Sequence, residues 1–254
     1  MTLQFDGFQT FLLVFVRMIA MLAFQPLLAR KNLPRRVVAG LALCLTILLA
    51  GIVTPAPDYV PMDMALAIAR EVFVGFVCGF VFQIFYYMLF FVGDFMDMQF
   101  GMSMAKVFDP GTNLQISISG NVLNIIFVLY FFATGSHLVM LRLFASSYQI
   151  IPAGVEGLNL QISGLMAELF IAAFGLAIKL LLPFAVAEFT LEVAMGILMR
   201  LIPQIHVFVI NMQLKIAMGM LLLLVFATPI ASFVDNYILI MLENMQRALF
   251  GMVT

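Results

Sequence analysis

Six apolar stretches run through the chain, at about 8–29, 37–54, 72–93, 122–151, 164–187 and 207–234, and several carry charges where lipid would not tolerate them. Arg17 lies in the middle of the first. The fourth is broken by Thr134-Gly135-Ser136-His137 and carries Arg142. The fifth holds Glu168, Lys179 and Pro183, and the last opens with Asn211, Gln213 and Lys215. Only 37–54, 72–93 and 216–234 are free of charge. A membrane helix needs about 20 mostly apolar residues. An ionisable group at the bilayer centre costs about 2.5–3.5 kcal/mol on insertion scales. Charged faces inside apolar runs are therefore expected to meet protein or water rather than lipid.

Composition sharpens the point. Of 254 residues 65% are hydrophobic and 10% charged, and mean hydropathy is +1.16. A soluble domain is about 45–50% apolar and about 25% charged. The chain is thus expected in a membrane, or buried among other hydrophobic subunits. Twelve Lys and Arg against thirteen Asp and Glu leave a net charge of −1, with no basic excess for nucleic acid. Cys44 and Cys78 lie in apolar runs, read as small buried hydrophobes. With two histidines, His137 and His206, a Cys/His metal site lacks material. No cofactor, metal or catalytic residue is expected. The opening Met1-Thr2-Leu3-Gln4-Phe5-Asp6 does not read as a cleavable signal.

Connections bear on topology. Arg30-Lys31-Asn32-Leu33-Pro34-Arg35-Arg36 is a cationic turn, expected in the cytoplasm. Thr54 to Asp63 has three prolines and no cation, which suits the other side. Alternation then places 94–121 and 188–206 on the cytoplasmic side. Gly75 and Gly79 form Gly-x3-Gly, which reads either as close helix contact or as chance spacing among 17 glycines. Tyr237 to Phe250 is an amphipathic stretch in which Glu243 and Arg247 have i,i+4 spacing.

Chemistry-bearing constellations are scarce. Glu188 and Glu192 share a helix face and are expected to meet cations on neighbouring helices. His206 and His137 read as proton relays or as hydrogen-bonded structural residues. The segment Gln99 to Gly120 is the most unusual, with a strong turn signal at Asp109-Pro110-Gly111. So long a loop is usually functional or disordered. Phe100, Val107, Phe108, Leu114, Ile116 and Ile118 argue against disorder. The two remaining readings are a buried loop lining or closing a passage and an interfacial loop lying on headgroups. The 20 methionines supply adaptable apolar bulk.

Three stretches together resemble the FliR family of type III secretion export-gate subunits. They are Arg17 with Pro26 and Leu33-Pro34-Arg35-Arg36; Gln99-Phe100-Gly101-Met102-Ser103-Met104-Ala105 with Asp109-Pro110; and Leu182-Pro183, Glu192, Gly196, Arg200, Pro203-Gln204 and Val207-Phe208. The resemblance implies an all-α fold of hydrophobic helical hairpins, forming part of a helical export-gate assembly rather than a conventional transmembrane bundle. It implies one hydrophobic domain over 1–254 and a pore plug at about 99–120. The plug residues would be Gln99, Phe100, Gly101, Met102, Ser103, Met104, Lys106, Val107, Phe108, Asp109, Pro110 and Gly111. Arg17, Glu188, Glu192, Arg200, Gln204 and His206 are expected as subunit-packing or interhelical polar contacts.

Implied partners are FliP-like and FliQ-like gate subunits, an FlhB-like subunit, unfolded export substrates and membrane lipid. The implied place is the flagellar basal body in the bacterial inner membrane. Competing readings are a proton-coupled transporter using Glu168, Glu188 and Glu192, a membrane enzyme, and a non-gating scaffold of a virulence system. No internal repeat is visible to support the transporter.

Overall fold

The computed structural model describes residues 5–27, 34–55, 59, 61–103, 117–154, 159, 162–202 and 207–253. Every regular element among them is helical. The helices are α1 (Phe5–Ala23), α2 (Arg35–Ala50), α3 (Pro61–Gln99), α4 (Ile118–Ala133), α5 (Ser136–Ile150), α6 (Ser163–Leu201), α7 (Val207–Val225) and α8 (Ala227–Gly251). Local sequence sets their limits. Pro61 opens α3, where a missing N–H costs nothing. The break between α4 and α5 falls at Gly135, whose φ of 75° suits glycine best. Phe226 separates α7 from α8, which diverge by 62°.

An internal repetition emerges that the sequence does not display. A 39-residue helix (α3) is followed by a broken pair (α4 and α5), and a second 39-residue helix (α6) by another (α7 and α8). The side chains of the two halves differ, so the likeness lies in helix length and break position.

The six-run reading is corrected in three places. α2 has only 16 residues, short of a bilayer span. The proposed turn at 188–206 is helix as far as Leu201. The charge-free run 216–234 crosses the α7–α8 break. Two helices, α3 from Met62 and α6, are long and apolar enough to cross a membrane, or up to four spans if each broken pair counts as one.

The described residues form two compact units. The first gathers 1–86, 135–171 and 239–254; the second gathers 87–134 and 172–238. In the first, α2 packs on α1, and α3 presents Gly75 and Gly79 to α1. A β-carbon on Gly75 would lie 2.5 Å from that of Ala20 and 3.0 Å from the Arg17 carbonyl oxygen; one on Gly79 would overlap Phe24. The Gly-x3-Gly spacing is therefore a close helix contact. Gly154, with φ of 74°, sits against the Tyr59 ring, whose hydroxyl donates to the Gly154 carbonyl. α8 contributes a buried stripe of Met241, Leu242, Met245, Ala248 and Leu249. Arg247 hydrogen-bonds Glu168 at 3.4 Å, so the expected Glu243–Arg247 pair is replaced by a contact between helices. Cys78 is buried as expected, but Cys44 is exposed, on the outward face of α2.

The second unit is held by aromatic contacts. Phe100, just past α3, is fully buried, with its ring centroid 6.3 Å from that of Phe184 on α6. Phe184 in turn lies 5.4 Å from Phe226. Gly219 on α7 leaves room for the Phe100 ring, because a β-carbon there would overlap it.

Gly75→Ala should overpack the α1–α3 contact and cost about 1–3 kcal/mol. Gly40→Ala, in open space inside α2, should be neutral or stabilising by up to about 1 kcal/mol. Thermal unfolding of both variants in the same detergent measures the contrast.

Candidate functional site

Each unit contains a buried carboxylate that gathers several hydrogen bonds, and the two differ in chemistry. In the first unit Arg17 is fully buried. Its Nε donates to Glu71 Oε2, and its Nη2 donates to Glu71 Oε1 at 3.0 Å. Two parallel bonds of this kind give the strongest common carboxylate geometry. Nη1 donates to the carbonyl oxygens of Ser147 at 3.2 Å and Ile151 at 2.8 Å. Arg17 thereby places a cation on the C-terminal carbonyls of α5, where the helix dipole favours it. Its guanidinium carbon lies 4.3 Å from the Tyr148 ring centroid. Glu71 Oε1 also accepts the Gly154 N–H at 2.7 Å, and the Tyr148 hydroxyl donates to the Val14 carbonyl at 3.1 Å. Four chain segments thus close on one ion pair.

In the second unit Asp97, near the end of α3, is fully buried. Its carboxylate accepts from the Ser117 hydroxyl at 2.8 Å and from the backbone N–H groups of Ile118 at 2.7 Å and Ser119 at 3.1 Å. Ser117 Oγ accepts the Gly120 N–H at 2.8 Å, a hydroxyl N-cap of α4. The free N–H groups of the first turn of α4 are thus divided between two acceptors, those of Ile118 and Ser119 going to a negative charge and that of Gly120 to a hydroxyl cap. Nearby, Gly93 meets the backbone of Gly120 so closely that a β-carbon would overlap it. The segment leaving at Phe100 and returning at Ser117 is consequently fastened at both ends: Phe100 is locked among aromatic rings, and Ser117 is tied to Asp97. Gly101, with φ of 73°, turns the chain as it leaves, and Met102 is still buried.

The expected loop is therefore shorter than 99–120. Gln99 ends α3, Phe100, Gly101 and Met102 form a turn, and α4 begins at Ile118. Ser103 is half-buried. Met104, Lys106, Val107, Phe108, Asp109, Pro110 and Gly111 lie outside the described residues, as do Gln204 and His206. His137 is half-buried at the start of α5.

The acidic pair on α6 divides. Glu192 is exposed and accepts from Lys215 Nζ on α7 at 3.0 Å. Glu188, one turn earlier, is fully buried, and neither of its carboxylate oxygens has a hydrogen-bond partner among the described residues. Among the described residues Lys215 hydrogen-bonds Glu192 and not Glu188. Arg200 is exposed at the end of α6 and forms no ion pair among the described residues. Glu71, Asp97, Ser117 and Tyr148 escaped the sequence reading. A buried Arg17 demands a buried acid, and Glu71 stands at the very edge of the second charge-free run. Ser117 just before an apolar helix carries the N-cap signal.

A double-mutant cycle tests the ion pair. Arg17→Met should cost about 3–5 kcal/mol by stranding the Glu71 carboxylate. The double substitution Arg17→Met with Glu71→Leu should recover a large part of that loss. Unfolding of the chain in detergent, or its yield as a folded particle, reads both.

Residues 8–241 match the family model of bacterial export proteins, family 1. The flagellar biosynthetic protein FliR of Bacillus subtilis (strain 168) is 28% identical over 248 residues, covering 96% of each chain. That of Escherichia coli (strain K12) is 27% identical over 224 residues, covering 87% of this chain and 85% of the relative. The Yop proteins translocation protein T of Yersinia pestis is 26% identical over 241 residues, covering 92% of each. An all-helical chain matched from its first helix into its last belongs to the bacterial export proteins of family 1, the family of flagellar FliR.

Proposed function

We propose that this chain is a gate subunit of a flagellar type III export apparatus, and that the segment between Phe100 and Ser117 is the plug of its channel. The carrying observation is the doubly fastened base. A plug must yield without coming adrift, and Asp97 and Phe100 fix where it starts and ends. The segment is rich in apolar and small residues, with Val107, Phe108, Leu114 and Ile116 beside Gly101 and Gly111. Such side chains exclude water and ions when packed, and part around an unfolded substrate without demanding a particular sequence.

The exposed surface supports a life among other subunits. Within its most apolar window α3 is 61% buried by the chain itself, whereas α6 is only 33% buried. Phe170, Ile171, Phe174, Phe189 and Ile197 all stand exposed on α6. Apolar area of this extent marks an interface or a lipid-facing surface. FliP-like and FliQ-like subunits would cover such a face, with an FlhB-like subunit near the gate. The place is the bacterial inner membrane at the flagellar base. Arg200, Gln204 and His206 would serve as polar contacts to those subunits. A proton-coupled transporter retains one observation in its favour, the buried Glu188, which has no hydrogen bond among the described residues. Loss of solute uptake by the chain alone in Glu188→Gln would favour it.

Deleting about Lys106–Ile116 should leave the complex assembled, because the fastenings lie outside the deletion, while opening an ion leak. Asp97→Ala should loosen the base and give a smaller leak. Conductance of membranes containing each complex measures this, alongside export. An assembled deletion complex with unchanged conductance and normal export would sink the plug assignment.

A further inference from the structure

The first unit carries a half-open cavity of about 450 Å³ between the end of α2 and α5. Its α2 side is formed by Leu49, Ile52, Val53 and Thr54, and its α5 side includes Arg142 and Gln149. We propose that this groove binds an anionic phospholipid, with an acyl chain along the α2 side and the phosphodiester on Arg142.

Three observations support that occupant. First, Arg142 is exposed and has neither an ion pair nor a hydrogen bond among the described residues. This contrasts with Arg17, whose every donor group is engaged in the same unit. A free guanidinium in an otherwise apolar setting is a strong demand for an anion, and its planar fork fits phosphate oxygens. Second, the polar groups at the groove sort into occupied and free. The Ser146 hydroxyl donates to the Leu143 carbonyl and that of Tyr148 to the Val14 carbonyl. The exposed Gln149 amide and the exposed Thr54 hydroxyl form no hydrogen bond among the described residues. Cation and free donors thus stand together on an apolar wall, the layout of a headgroup site. Among the described residues no carboxylate lines the groove to compete for Arg142.

Third, the apolar wall does not end at the groove. Ile52 just past α2 and Leu48 on it are largely exposed, and Leu41, two turns further back, is exposed on the same face. This bare stripe leads along a helix that is itself too short to cross a bilayer. A long apolar ligand can follow it beyond the cavity, whereas a free inorganic anion would use only the Arg142 end. An acidic helix of a partner subunit would satisfy Arg142, but would leave the narrow apolar slot beside it without a reason.

The test uses the full chain, alone and in its assembled complex, in phosphatidylcholine vesicles doped with photoactivatable phosphatidylglycerol. Cross-links should map to 49–54 and 142–152. Unlabelled phosphatidylglycerol should compete, whereas added phosphatidylcholine and inorganic phosphate should not. Arg142→Ala should cut labelling of these peptides about tenfold, the loss of a charge-assisted phosphate contact. Ile52→Glu places a negative charge at an exposed position of the groove, so it should repel the ligand without disturbing the core. Equal labelling in wild type and both variants, or labelling spread evenly along the apolar helices, would overturn the proposal. Competition by inorganic phosphate as strong as by phosphatidylglycerol would reassign the site to a free anion. Labelling present in the chain alone and lost in the complex would reassign the groove to a partner subunit.

Discussion

A buried guanidinium has few ways to survive in an apolar chain, and Arg17 uses nearly all of them at once. Glu71 cancels its charge, the carbonyls at the end of α5 take the remaining donors, and Tyr148 covers its face. Desolvating two ions is expensive, and only full satisfaction of their hydrogen bonds makes the arrangement tolerable. The first unit is therefore organised around a point where small displacements are costly. α1, α3, α5 and the turn at Gly154 have to arrive together, because each supplies a partner that the others cannot replace. Apolar packing alone would let these helices slide along one another. A bidentate ion pair fixes their register.

Glycine performs the complementary task of letting backbones approach. Gly75 and Gly79 admit α1 against α3 in the first unit, and Gly93 admits the start of α4 in the second. In each case the side-chain-free position lies within two turns of a buried acid: Glu71 precedes Gly75 by one turn, and Asp97 follows Gly93 by one turn. The close approach brings the carboxylate within reach of backbone donors, which a full-sized side chain would hold away. Polar satisfaction and small-residue packing are thus two aspects of the same contact, repeated once in each unit on a single long helix.

How much of this could be read beforehand differs by element. The all-helical class, the break at Thr134–Gly135 and the likeness to an export family were legible, because they depend on composition, on glycine and on ordered local motifs. The charge of Arg17 within an apolar run was legible as a demand for a partner, but Glu71 was not legible as the answer. The two are far apart in sequence, and nothing local links them. The repetition of a long helix and a broken pair was invisible for a related reason. It resides in helix lengths, and Val, Leu and Phe interchange freely on an apolar face without leaving a repeated pattern. The stretch 99–120 stands out in the sequence as unusual, but the fastening at its two ends does not. Asp97 and Ser117 are 20 residues apart, and only the folded backbone brings them together.

The fastening at Asp97 has a bearing on how such a segment can vary. Closing a flexible loop costs entropy that grows only with the logarithm of its length, about 0.6 kcal/mol for each doubling. Once Asp97 and Phe100 hold the two ends, the closure is already enforced by contacts that the intervening residues do not make. Insertions or deletions between them then change the stability of the second unit very little. The base is a fixed socket, and the length and composition of the sequence between its two ends can drift without loosening it.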